Sequence, residues 1–135
     1  MLLRDLIGER MTASLAVVDE LFEKLDGAMA KNTIRAYRSD FEHFTKWCLC
    51  NNTHPLEHDV PAMLKYLLFV STESKVATLN RRIASLSSLF RFLGIQDHTK
   101  HTDVFLLLKK IKRQKGSAQL QAEPLTRDMI KKLSP

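Results

Sequence analysis

The chain has 135 residues, 44% of them hydrophobic, a formal net charge of +6, and only four glycines, four prolines and two cysteines. That length supports one core without a disulfide or metal staple, and so few turn-forming residues leave little room for a β fold. No apolar run approaches the roughly 18 residues of a membrane span, and Met1-Leu2-Leu3-Arg4-Asp5 lacks the apolar centre of a signal peptide, so a cytoplasmic protein is expected.

Residues 1–11 read as a flexible leader. Thr12 or Ser14 is placed to cap a first helix, in which Leu15, Val18, Phe22, Leu25 and Met29 recur at three- and four-residue steps beside Asp19, Glu20 and Glu23. This seam should pack on the bundle, and it is also a surface through which copies of the chain could meet.

A second helix is expected from about Thr33 to Leu49, with Asn32 as its N-cap and Asn51-Asn52 at its end. Ile34, Tyr37, Phe41, Phe44 and Cys48 form its apolar stripe, while Thr33, Arg35, Ala36, Arg38, Ser39 and Lys46 lie off it. Asp59 is expected to cap a third helix with Pro61 in its first turn. A fourth runs from near Val76 to Gly94, burying Leu79, Ile83, Leu86, Phe90 and Leu93. Its other side carries Thr78, Asn80, Arg81, Arg82 and Ser85. A fifth, capped near Thr102, buries Val104, Leu107, Leu108 and Ile111 and carries the run Lys109-Lys110-x-Lys112-Arg113-x-Lys115. Residues 114–123, with Gly116-Ser117, read as a linker. At 124–135 a new helix begins after Pro124-Leu125-Thr126. The expected fold is all-α, a compact bundle of four to five helices over residues 12–113.

Charge is unevenly spread. Residues 1–30 hold three basic and six acidic side chains, and residues 31–115 hold fifteen and seven. So basic a middle segment suits a polyanion, with a merely solvated face as the plainer alternative. Compact donors near a helix N-terminus read bases, and longer cations beside them hold phosphates. Arg81 is the candidate for a bidentate bond to guanine, and Ala36 for a thymine methyl. Thr33, Arg35, Ser39, Thr78 and Asn80 join them, with Lys31, Arg38, Lys75 and Arg82 on phosphates. Lys112 and Arg113 are expected to strap the DNA backbone.

Cys48-x-Cys50 with His54 and His58 offers four zinc-ligand types, but Cys48 falls on the apolar stripe and the spacing fits no standard finger. No metal or cofactor is expected. His98 and His101 read as surface or capping residues. Tyr37 and Tyr66 belong to the core pattern, and no nucleophile–base arrangement stands out.

The run Asn32-Thr33-x-Arg35-Ala36-Tyr37-x-Ser39-Asp40-Phe41, followed by Phe44-x-x-Trp47-Cys48, resembles the first long helix of the core-binding, SAM-like domain of tyrosine recombinases, the family of the phage integrases. Pro55 to Leu68 resembles that family's short helix ending in Tyr66-Leu67. Ala77 to Gly94 resembles its second long helix, Val104 to Arg113 its closing helix, and Gln121 to Thr126 the hinge into the catalytic domain. The resemblance covers roughly residues 12 to 133. It implies a DNA-binding domain that grips a recombination half-site, with Thr33, Arg35, Ala36, Ser39, Thr78 and Arg81 facing the groove. The phosphotyrosyl chemistry of the family would belong to a catalytic domain starting near Pro124, so this polypeptide is not expected to cut DNA. Its implied partners are double-stranded DNA, the catalytic domain of the same parent chain, and other copies bound as a homo-oligomer through the first helix. The alternatives are a helix-turn-helix regulator and a helical protein-interaction module using the Leu15–Met29 seam.

Overall fold

A computed structural model describes the backbone of residues 16–122 and the side chains of residues 16–116. The expected leader, the Thr12 or Ser14 cap, Leu15 and the segment 124–135 lie outside the described residues. Helix α1 is described over residues 16–25. It is followed by α2 (Lys31–Cys50), α3 (Val60–Glu73), α4 (Val76–Leu93), a short 3-10 turn (His98–Lys100) and α5 (Thr102–Ala122). The fold is all-α.

Each boundary has a local cause. After α1 the Leu25 carbonyl accepts from the Ala28 and Met29 N–H groups around Gly27, whose φ of 84° suits glycine. The chain then enters α2 two residues earlier than expected: Ala30 is the N-cap, with no side-chain cap. Asn32 already lies inside the helix and accepts from Arg35 Nη1 at 3.4 Å. Asn51 does end α2, its N–H bonding the Cys48 carbonyl and its side chain the Trp47 carbonyl. Asp59 caps α3 by accepting from the Ala62 N–H at 2.9 Å, although this helix continues past Leu68 to Glu73. Gly94, at φ 74°, closes α4 in the left-handed conformation.

Helix α5 also runs further than its apolar stripe predicts. Residues 114–122, read as a linker for want of apolar periodicity, continue α5 to Ala122. Gln, Lys, Ala and Leu propagate a helix without needing an apolar stripe, and one glycine costs only about 1 kcal/mol.

The apolar stripes meet as their spacing predicts. Phe44 is fully buried at the centre, its ring edge-on to Tyr66 at 4.8 Å and 6.1 Å from Phe90. Met63, Leu67, Val70, Leu79, Leu86, Leu89 and Val104 are sealed around it, and Val18, Phe22 and Leu25 bring α1 onto the same core. The buried Tyr66 hydroxyl meets His43 Nδ1 at 2.8 Å, and His43 Nε2 meets Glu73 at 2.7 Å. Burial pushes the Tyr66 phenol well above its ordinary pKa and the Cys48 thiol up to about 12. Cys48 is thus an inert core side chain. Among the described residues no cluster of three or more His, Cys, Asp or Glu could hold a metal, and no helix is long and apolar enough to cross a membrane.

Candidate nucleic-acid interface

The first two turns of α2 lie along the middle of α4. Between them is a concavity of about 380 Å³, lined by Asn32, Thr33, Ala36 and Tyr37 on one side and by Arg81, Ala84, Ser85 and Ser88 on the other. Thr33, Ala36, Arg81 and Ser85, all placed on non-core faces from sequence, therefore share one groove. Residues three and four apart on α4 present the same face, so Arg81, Ser85 and Ser88 follow one another along it. Asn80, one residue before Arg81, is turned about 100° away. It lines the neighbouring groove with Thr99, Lys100 and Phe105, so Asn80 and Arg81 line different grooves that share Ala84.

The seam between the helices is held by Asp40, a residue not singled out from sequence. Its side chain is fully buried. Oδ1 accepts from Arg81 Nη2 at 2.7 Å and from Arg82 Nη1 at 3.3 Å. Oδ2 accepts from Ser85 Oγ at 2.7 Å and from Arg81 Nε at 3.3 Å. Both oxygens are doubly used, as a buried carboxylate requires if its desolvation is to be offset. A sequence signal was present: Asp40 stands three residues after Tyr37 and four before Phe44, beside the apolar stripe in a segment rich in cations.

The two arginines then part in role. Arg81 keeps 52% of its side chain exposed, while Arg82 keeps 15%. Arg82 Nε is buried without a partner among the described residues, so Arg82 braces the seam instead of lying open as the expected phosphate contact. Arg38, also expected on phosphate, sits over the Phe22 ring at 4.4 Å and 3.6 Å from Asp19. It ties α1 to α2. Lys31, Arg35, Ser39, Lys75, Lys112 and Arg113 are exposed, and Thr78 is half-buried near the start of α4.

The histidines divide as well. His101 Nδ1 accepts from the Asp103 N–H at 3.1 Å and so helps start α5. His58 is buried between Phe44 and Phe90, 5.0 Å from the His98 ring, with Nδ1 donating to the Pro55 carbonyl. Burial lowers its pKa from 6.5 to about 4. It is a neutral core histidine.

Comparison with known proteins adds two findings. Residues 18–97, from α1 to the end of the α4 turn, match a family model described as phage integrase, N-terminal SAM-like domain. Over 110 residues, 79% of this chain, the sequence is 25% identical to a protein named integrase/recombinase xerD homolog from Selenomonas ruminantium. The aligned part is 32% of that protein, so the chain spans about a third of the length of this curated relative.

Proposed function

Because this chain belongs to the phage integrase N-terminal SAM-like domain family, we propose that it binds double-stranded DNA as one arm of a tyrosine recombinase, gripping a recombination half-site. The observation that carries this reading is the α2–α4 groove, where Thr33, Ala36 and the half-exposed Arg81 face a common space. Hydroxyls, a methyl and a guanidinium are the groups that read base edges in a major groove. Lys31, Arg35, Lys75, Lys112 and Arg113 are exposed and unpaired with any carboxylate among the described residues, which suits them to phosphates. Ser39, exposed on α2, and Thr78, half-buried near the start of α4, supply further hydroxyl donors. In this reading the chemistry of strand exchange lies with a catalytic domain of the parent protein. Further copies on DNA meet through α1, and the protein works in the cytoplasm on DNA.

The test is a gel shift on duplex DNA across a salt series. Neutralising four to six phosphates gives a slope of log affinity against log salt of about −4 to −5. A flat salt response would overturn the reading and favour a protein-interaction module built on the α1 seam.

A further inference from the structure

We infer that Asp40 is a positioning residue for base readout: it holds the Arg81 guanidinium by one edge so that its other edge is presented, ready oriented, to the DNA groove. The inference rests on the proposed DNA reading and goes beyond it by assigning sequence preference to a buried acid that touches no DNA.

The geometry of the grip carries the argument. A guanidinium is planar and has five N–H donors. Asp40 takes the side edge, Nε and Nη2. Nη1 has no partner among the described residues, and the end-on edge formed by Nη1 and the second Nη2 hydrogen remains available. That end-on edge is one that can match the O6 and N7 acceptors of guanine. A free arginine would have to give up most of its rotamer freedom to make such a bond; one already clamped loses less. Ser85 and Arg82 complete the clamp by occupying the remaining lone pairs of Asp40, so the carboxylate cannot swing away. The clamp also explains why two adjacent arginines behave differently: one carboxylate serves both, but only Arg81 extends into the groove.

The charge balance makes the idea separable from a purely structural role. Replacing Asp40 by Asn removes a negative charge beneath two arginines, which should hold or raise affinity for DNA of any sequence. Loss of orientation should lower preference at the same time. Simple loss of fold would lower both.

The experiment begins by selecting preferred sequences for the wild-type chain from a randomised 20-base-pair duplex pool. Binding to a selected and a scrambled duplex is then measured for wild type, Asp40→Asn, Arg81→Ala and the double variant, with melting curves for each. We expect Asp40→Asn to reduce the selected-over-scrambled preference by roughly tenfold, within the range of one bidentate base contact. Affinity for the scrambled duplex should stay level or rise. In the Arg81→Ala background the same change should cost no further preference, because the group it positions is gone. Ser85→Ala, which removes one clamp donor, should give a smaller loss of the same kind and serves if Asp40→Asn does not fold. Undiminished preference in Asp40→Asn, or an equal loss with and without Arg81, overturns the inference while leaving DNA binding intact. Failure of the wild type to bind any duplex overturns the DNA reading itself, and the inference with it.

Discussion

Helix α2 is buried on two sides by two kinds of contact. Toward α3 and the far end of α4 it meets a cluster of rings and aliphatic side chains around Phe44, where each residue touches many others and none is indispensable in kind. Toward the middle of α4 it meets Arg81, Arg82 and Ser85 through one carboxylate. The apolar side is tolerant because dispersion and burial sum over many weak contacts. The polar side is close to all-or-none, because removing the acceptor strands its donors. The tolerant side builds the fold, and the exacting side shapes the groove proposed for DNA.

The sharpest way to break this contrast is to truncate each side in turn. Asp40→Ala should cost about 3–5 kcal/mol, the usual penalty for orphaning a buried ionic partner. Met63→Leu, a near-isosteric change at a fully buried core site, should cost under about 1.5 kcal/mol. Urea midpoints for the two variants decide it, and equal losses would erase the distinction.

A smaller, progressive effect comes from a histidine buried in the core. His58 has a folded pKa of about 4 against an ordinary 6.5. Above pH 6.5 neither the folded nor the unfolded chain protonates it. Between about 6.5 and 4 the unfolded chain takes up a proton that the folded one refuses, so stability falls as pH falls. Below about 4 this loss is complete. The total is roughly 3 kcal/mol, at 1.36 kcal/mol per pKa unit. Unfolding titrations at pH 7, 5.5 and 4.5 should follow that curve, and His58→Gln should flatten it.

The two sides of α2 were also unequally legible. Phe41, Phe44 and Cys48 declare themselves by spacing, and Asp59, Pro61, Asn51 and Gly94 mark helix ends by well-understood backbone chemistry. Thr33, Ala36 and Arg81 could be placed on non-core faces by counting residues. What counting cannot supply is partnership across distance. Asp40 stands beside the apolar stripe, but its spacing does not name its partners, two arginines and a serine from α4. Nor does sequence show that Arg38 lies against Asp19 and Phe22, or Arg82 against Asp40, because an arginine with such partners looks in sequence like any other. Asn80 and Arg81, one residue apart on a helix, line different grooves. The helical continuation to Ala122 is not legible from periodicity, which reports burial, whereas helix propensity acts without an apolar stripe.

The 41-position separation of Asp40 and Arg81 along the chain bears on the order in which the molecule assembles. Helices α3 and α4 are joined by only Ser74 and Lys75, and a short link closes at less entropic cost than a distant pairing. A carboxylate also stays hydrated until its donors arrive. The α3–α4 hairpin should therefore form early and the groove late, with the groove the first region to open during thermal fluctuation. Amide exchange slower at Leu67 and Leu86 than at Asp40 would show that sequence of events, and the opposite ranking would refute it. The surface proposed for DNA would then be the youngest part of each newly folded molecule.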